Sequence, residues 1–311
     1  MMRYGLILIL AFLLAACGGR ANKDVTIVIP HGVSLKKAAS ILESEGAVES
    51  SSAFLRYAKF IGSSDPIKPG EYEVKAGMDD GEVLALLQSG KTLQRFVMIP
   101  EGMPSIMVQE KLMAAPFLEG DVAVPAEGSI LPDSYAYTRG EKRSAVLKRM
   151  QAAMVKTLDE LWKNRKGSSV ANSKEEAVIL ASIVEKETGK ASERRMVAGV
   201  YSNRVRIGMK LQADPTVIYP VTKGKPLGRR ILRSELDADN GYNTYARAGL
   251  PAGPIANPGK ASIAAVLDPL PTRNLFFVAD GTGGHVFAET GAQHNANVEN
   301  WYAIRRKRGE M

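Results

Sequence analysis

The run EEAVILASIVEKE (Glu175–Glu187) constrains the fold more than any other stretch of the chain. Ser173 with Glu176 three residues on reads as a capping box, and Gly189 is a natural stop, so the spacing predicts one helix from Lys174 to about Thr188. At about 100° per residue, Ala177, Leu180, Ala181 and Val184 form a buried stripe, while Val178, Ile179 and Ile183 lie on other sides. Only Ser182 and Lys186, with Glu175 a turn above, make a polar stripe. A helix apolar nearly all round is a central core helix. Two carboxylates at its end, Glu185 and Glu187, therefore need a reason to be there, because acidic side chains are rarely buried without a partner.

On this wheel Glu185 and Glu187 point about 160° apart, so they cannot serve one cleft as an acid/base pair. Glu185 follows the small Ala181, which leaves room for a ligand; Glu187 sits among larger side chains and is expected to pair with a lysine or arginine. A carboxyl among apolar groups has its pKa raised, which suits a general acid at neutral pH. Glycosidases use such a carboxyl on the glycosidic oxygen. The competing reading of Glu185 is a buried ion pair with an arginine such as Arg194 or Arg204.

Upstream, three segments align on glycine: IVIPHGVSLKKAASIL on Gly32, YEVKAGMDDGEVLALL on Gly77 and VMIPEGMPSIMVQEKL on Gly102. Each has a short apolar strand pattern, a glycine for the turn, and a leucine ten residues on (Leu42, Leu87, Leu112). Ser34, Asp79 or Asp80, and Ser105 are candidate helix caps. The first two units, with SAFLRYAKFIG between them, close a small α+β subdomain over 25–93, and the third opens a larger mixed α/β domain over 94–311. Further helices are expected from Arg143 to Lys166, over SERRMVAGVYSNRVRIG, over SIAAVLDPL and from near His294, with a hairpin at NLFFVADGTGGHVFAE.

The N-terminus, MMRYGLILILAFLLAACGG, has a basic residue and an apolar run too short to span a bilayer comfortably. Leu14-Ala15-Ala16-Cys17 resembles the lipobox of bacterial lipoproteins, in which the cysteine carries the lipid. Residues 1–17 are thus expected to be a signal or anchor segment, with 18–24 a tether. Lipidation of Cys17, the chain's single cysteine, would leave no free thiol in the oxidising envelope. A cut after Ala16 or an uncleaved anchor are the alternatives. The net charge of +8 favours an anionic partner or simply a solvated basic surface. No nucleic-acid-binding signature is present. The three histidines are scattered, and HExxH, CxxC, Walker and Gly-x-Ser-x-Gly patterns are missing, so no metal or cofactor is expected.

The order ASIVEKET, NRVRIGMKLQADPTVIY, YNTY, GLPAGPIANPG and FVADGTGGHVF, with EGSILPDSY upstream, closely resembles the endolytic murein transglycosylases, the YceG-like family. That resemblance implies a LysM-like subdomain ahead of a catalytic domain and the helix 174–188 as its buried catalytic helix. The implied activity is non-hydrolytic cleavage of peptidoglycan glycan strands between N-acetylmuramic acid and N-acetylglucosamine, leaving a 1,6-anhydro end. The implied acid/base is Glu185, with Gln212, Asp214, Asn243 and Tyr245 as hydrogen-bonding groups for sugar. The competing readings are an Asx turn or cap before Pro215 for Asp214 and a turn residue for Asn243. The implied setting is the bacterial envelope, membrane-anchored and facing the periplasm, with cell-wall synthases as partners. Familiar members carry a longer transmembrane start than this chain does. Two other readings stand beside the lyase: a non-catalytic peptidoglycan-binding scaffold, and a lysozyme-like hydrolase with Asp214 as second carboxylate.

Overall fold

A computed structural model of the protein describes residues 20–310. It is mixed α and β, with short two-stranded sheets among many helices. Among the described residues no helix is long and apolar enough to cross a membrane. Cys17, the expected lipidation site, lies outside the described residues. The chain divides into two compact units, one running to Arg95 and taking back Ala136–Glu141, the other holding Phe96–Tyr135 and the chain from Lys142 on.

The first unit runs β1 (Val25–Ile29), α1 (Leu35–Ser44), α2 (Ser51–Phe60), β2 (Gly70–Val74) and α3 (Asp80–Ser89). β1 and β2 are antiparallel, with Val25 opposite Val74 and Ile29 opposite Gly70. Alternation along β1 turns Ile27 and Ile29 inward, onto Leu42, Phe54, Tyr72, Val74 and Leu87. Ser34 caps α1 and Asp79 caps α3, the latter in a reciprocal box with Glu82, while Asp80 lies within the helix. Across both units the glycine repeat is a backbone requirement: Gly32, Gly77 and Gly102 all hold left-handed φ near +74°, +89° and +72°, and Leu42, Leu87 and Leu112 are wholly buried.

The boundary falls within β3 (Arg95–Met98) and its partner β4 (Ser134–Tyr137), and the second unit continues with α4 (Ser105–Ala114). Ser105 is not the cap of α4. Pro104 occupies that position, and the Ser105 N–H and hydroxyl both donate to the buried carboxylate of Glu127, 2.9 and 3.1 Å away. The helices α5 (Arg143–Lys163), α6 (Lys174–Glu187), α7 (Arg194–Arg206), α8 (Asp214–Thr222), α9 (Arg233–Leu236) and α10 (Lys260–Leu267) follow. The hairpin β5 (Phe276–Ala279) and β6 (His285–Ala288) and the closing helix α11 (Gly291–Lys307) complete the unit.

The central helix is α6. It packs against α7, α8 and α10, and Ala177, Leu180, Ala181, Ile183 and Val184 lie in the main core. Ser173 caps it by accepting from the Glu176 N–H, but the Glu176 carboxylate reaches back to Asn172, so the box is displaced by one residue. Ser182, expected on a polar stripe, is fully buried: its hydroxyl donates to the Ile179 carbonyl at 2.7 Å and accepts from the Ile255 N–H at 3.0 Å. That pair of bonds satisfies the hydroxyl and fastens the Gly/Pro-rich loop before α10 to the core helix.

Candidate active site

The two glutamates at the end of α6 meet opposite surroundings. The Glu185 side chain is 5% exposed. One carboxylate oxygen accepts the Gly259 N–H at 2.9 Å and the other faces Arg194 Nη2 at 3.4 Å. The same Arg194 nitrogen reaches Glu101 at 3.1 Å. A Cβ at Gly259 would stand 1.9 Å from a Glu101 carboxylate oxygen, so any side chain there displaces Glu101 from Arg194. Of the alternatives open for Glu185, the buried ion pair with Arg194 is therefore present.

Glu187 has no such anchor. Its Oε1 is buried without a hydrogen-bond partner, and its pKa is pushed up to about 7. Burial is the largest cause; the neighbouring Asp214 charge adds to it, while the Tyr201 hydroxyl and Arg204 oppose it. Glu187 lines a cavity of about 570 Å3 together with Tyr201, Arg204, Gln212, Asp214 and Tyr245. Phe276, Phe277 and Val278 of β5 and His294 and Tyr302 of α11 form the facing wall. Glu185 is not part of this lining.

Local structure explains how these side chains converge. Asp214 is the first residue of α8, and its side chain caps nothing; Oδ1 instead accepts the Tyr245 hydroxyl at 2.6 Å. Gln212, just before the helix, holds a left-handed φ of +52°, which for a non-glycine residue costs on the order of 1 kcal/mol and turns the chain toward the cavity. Arg204, 7% exposed, donates from Nε to the Leu275 carbonyl and from Nη1 to the Leu211 carbonyl, both at 2.6 Å. Two backbone carbonyls thus fix its guanidinium over the Phe276 ring, 5.3 Å from the centroid. His294 stacks on the same Phe276 ring, with centroids 5.2 Å apart, and burial followed by the Arg204 charge lowers its pKa.

Of the expected binding residues, Gln212, Asp214 and Tyr245 come together around Glu187, and Asn243 does not. Asn243 is 2% exposed. Its amide donates to the carbonyls of Glu235, Leu236 and Ala238, and its oxygen accepts the N–H groups of Tyr245 and Ala246. With its hydrogen-bonding capacity filled by its own loop, it holds Tyr245 in place rather than facing the cavity. Tyr135, Tyr219 and Tyr242 are likewise outside the cavity: Tyr135 donates to the Leu131 carbonyl, and Tyr219 and Tyr242 pack on each other at 5.0 Å. Asn203 ties α7 to the carbonyls of Thr272 and Asn274. Sequence reasoning missed Tyr201, Phe276, His294 and Tyr302, whose only advance signal was their place within or beside the quoted motifs. Among the described residues no cluster of His, Cys, Asp and Glu suits a metal ion.

The model of the YceG-like family matches residues 27–300. The chain is similar to the endolytic murein transglycosylase of Bacillus subtilis, with 30% identity covering 93% of this chain and 88% of that protein. Similarity to the endolytic murein transglycosylase of Streptococcus pneumoniae strain D39 is 28%, over 89% of this chain and 58% of that longer protein. A solved structure from Listeria monocytogenes, described as YceG-like, matches with a TM-score of 0.53 and 27% identity, over 88% of this chain and 99% of that one. On a family match that runs over most of the chain and takes in both Glu185 and Glu187, the chain belongs to the YceG-like family.

Proposed function

We propose that this protein is an endolytic murein transglycosylase, a lyase that cuts between N-acetylmuramic acid and N-acetylglucosamine within glycan strands, with Glu187 as its acid and base. The observation that carries the assignment is the Glu187 carboxyl: protonated to about pH 7, unpartnered at Oε1, and facing a cavity lined with sugar-binding chemistry. The resemblance had implied Glu185 for this role. Glu185 instead is engaged by Arg194 and the Gly259 N–H and does not line the cavity.

The reaction divides into two proton transfers. Protonated Glu187 gives its proton to the glycosidic oxygen as the bond to the muramic C1 breaks, leaving oxocarbenium character at C1. The Glu187 carboxylate, eased by the nearby Arg204 charge, then takes the proton of the muramic C6 hydroxyl, and that oxygen closes on C1. The proton returns to Glu187, no water is consumed, and the product ends in a 1,6-anhydro ring. Gln212, Asp214 and Tyr245 supply donors and acceptors for sugar hydroxyl and acetamido groups. The first unit, LysM-like in this reading, holds glycan, and the enzyme acts in the bacterial envelope, anchored through Cys17 beside cell-wall synthases.

Mass spectrometry of products from purified peptidoglycan tests the reading, with wild type, Glu187→Gln and Glu185→Gln side by side. Anhydro-ended muropeptides from wild type and Glu185→Gln, but not from Glu187→Gln, are expected. Products from Glu187→Gln with none from folded Glu185→Gln would return the role to Glu185. Reducing ends from wild type would mean a hydrolase using Asp214, and glycan bound without products would mean a scaffold.

A further inference from the structure

The cavity residues Gln212 and Asp214 sit at the entry to α8, and Tyr245 sits on a loop about thirty residues away. Two threonines behind the cavity join these segments. Thr216 is 0% and Thr244 2% exposed, so every polar atom between them must be satisfied within the protein. The Thr216 hydroxyl donates to the Ala213 carbonyl at 2.7 Å. That uses its single proton, so at the 2.8 Å contact between the two hydroxyls Thr244 is the donor and Thr216 the acceptor. Thr216 Oγ1 also accepts the Thr244 N–H at 3.2 Å, and Thr244 Oγ1 accepts the Ala213 N–H at 3.0 Å. The Thr244 carbonyl accepts the Gln212 N–H at 3.2 Å.

We propose that Thr216 and Thr244 are positioning residues for the glycan-cleaving reaction: their closed hydroxyl pair holds the left-handed turn at Gln212 and sets Asp214 against Tyr245 in the cavity. With Thr216 donating to the Ala213 carbonyl and Thr244 donating to Thr216, each hydroxyl both donates and accepts within the buried pair, so it is an internal joint rather than a chance surface contact. The N–H of Ala213, the residue between Gln212 and Asp214, donates to Thr244, and its carbonyl accepts both the hydroxyl and the N–H of Thr216. Loosening it frees the strained Gln212 backbone to relax and carries Asp214 with it. Neither threonine lines the cavity, so each acts through the groups that do.

Thr244→Val tests this, because it keeps the shape and removes only the hydroxyl; Thr244→Ser keeps the hydroxyl and is the rescue. Thr216→Val and Thr216→Ser repeat the comparison should Thr244→Val fold poorly. The proposal rests on the lyase reading above, so two readouts are taken on soluble, peptide-free glycan strands: Kd by titration calorimetry and kcat/KM for anhydro product across pH. The expected result is a fall of about 10- to 100-fold in kcat/KM and a weaker Kd for the valine variants, restored by serine. A second signature follows from Glu187. Tyr201 and Arg204 from α7, Asp214 from α8, Tyr245, and His294 and Tyr302 from α11 surround the Glu187 cavity, and the Asp214 charge is what raises Glu187 beyond burial. A displaced Asp214 therefore moves the alkaline limb of the pH profile to lower pH, which a general loss of stability would not do. Wild-type kcat/KM and Kd in a folded valine variant, equal losses in valine and serine, or an unmoved alkaline limb would each overturn the proposal. A wild type that binds strands without releasing anhydro ends would overturn the lyase reading alone, and the Kd comparison would still decide the joint.

Discussion

Glu187 links stability to pH in a direction opposite to that of an ordinary paired carboxylate. Folded, it keeps its proton to about pH 7; unfolded, it titrates near 4.5, the ordinary value of a glutamate. Below pH 4.5 both states hold the proton and the group contributes no pH dependence. Between 4.5 and 7 the unfolded chain releases the proton and the folded protein retains it, so rising pH favours unfolding, and above 7 the effect is complete. A gap of about two and a half pH units at about 1.4 kcal/mol each amounts to about 3 kcal/mol. Glu187→Gln removes the titration while keeping the shape. Its stability relative to wild type should therefore rise by about 3 kcal/mol from pH 4 to pH 8, or about 5–10 °C in Tm for a unit of this size. Calorimetric melts of both proteins over that range measure the difference directly. An offset that stays constant with pH, or one that narrows as pH rises, would show that Glu187 is not held protonated and would remove the basis for its role as acid.

Glu185→Gln should behave in the opposite way, losing about 1–3 kcal/mol at pH 7 by thermal or urea unfolding, because Arg194 and the Gly259 N–H lose a shared carboxylate. Tyr245→Phe should leave the melting profile nearly unchanged but lower kcat/KM about tenfold or more, since Asp214 loses the donor 2.6 Å away. Gly199→Ala should lower stability by about 1–3 kcal/mol despite alanine's better helix propensity, because its Cβ would lie 2.4 Å from the Leu270 carbonyl oxygen, a backbone atom that cannot swing aside.

What the sequence made legible was what depends on local period and backbone chirality. The apolar circumference of Lys174–Glu187 fixed α6 as a core helix, because a helix with no polar face has nowhere else to go. The repeated glycines marked left-handed turns that a Cβ would strain, and the hairpin announced itself through Asp280, Gly281 and Gly283 at its turn. What stayed hidden depends on partners distant in sequence. Ser105 looked like a cap until Glu127, twenty-two residues on, took its N–H and hydroxyl. The helix α8 was not assigned from the sequence, although proline in the first helical turn is favourable. Asn243 had the right chemistry for sugar, and nothing local revealed that its own loop would fill all of it.

The two glutamates show the same division within three residues. The helical wheel separated Glu185 from Glu187 correctly, because their angle depends only on helix geometry. It could not say what stands opposite each, because that is decided by Gly259, Glu101 and Arg194 on one side and by β5, α7 and α11 on the other. The small neighbour Ala181 suggested room for a ligand beside Glu185, and Ala181 itself lies in the main core. The larger neighbours of Glu187 suggested crowding, and they supply instead the apolar surroundings that keep its proton on. A carboxylate in an apolar run has two ways to exist: find a partner and stay charged, or find none and stay neutral. Glu185 meets Arg194 and the Gly259 N–H, whereas at Glu187 burial outweighs the Tyr201 hydroxyl and the Arg204 charge and keeps the proton on to about pH 7.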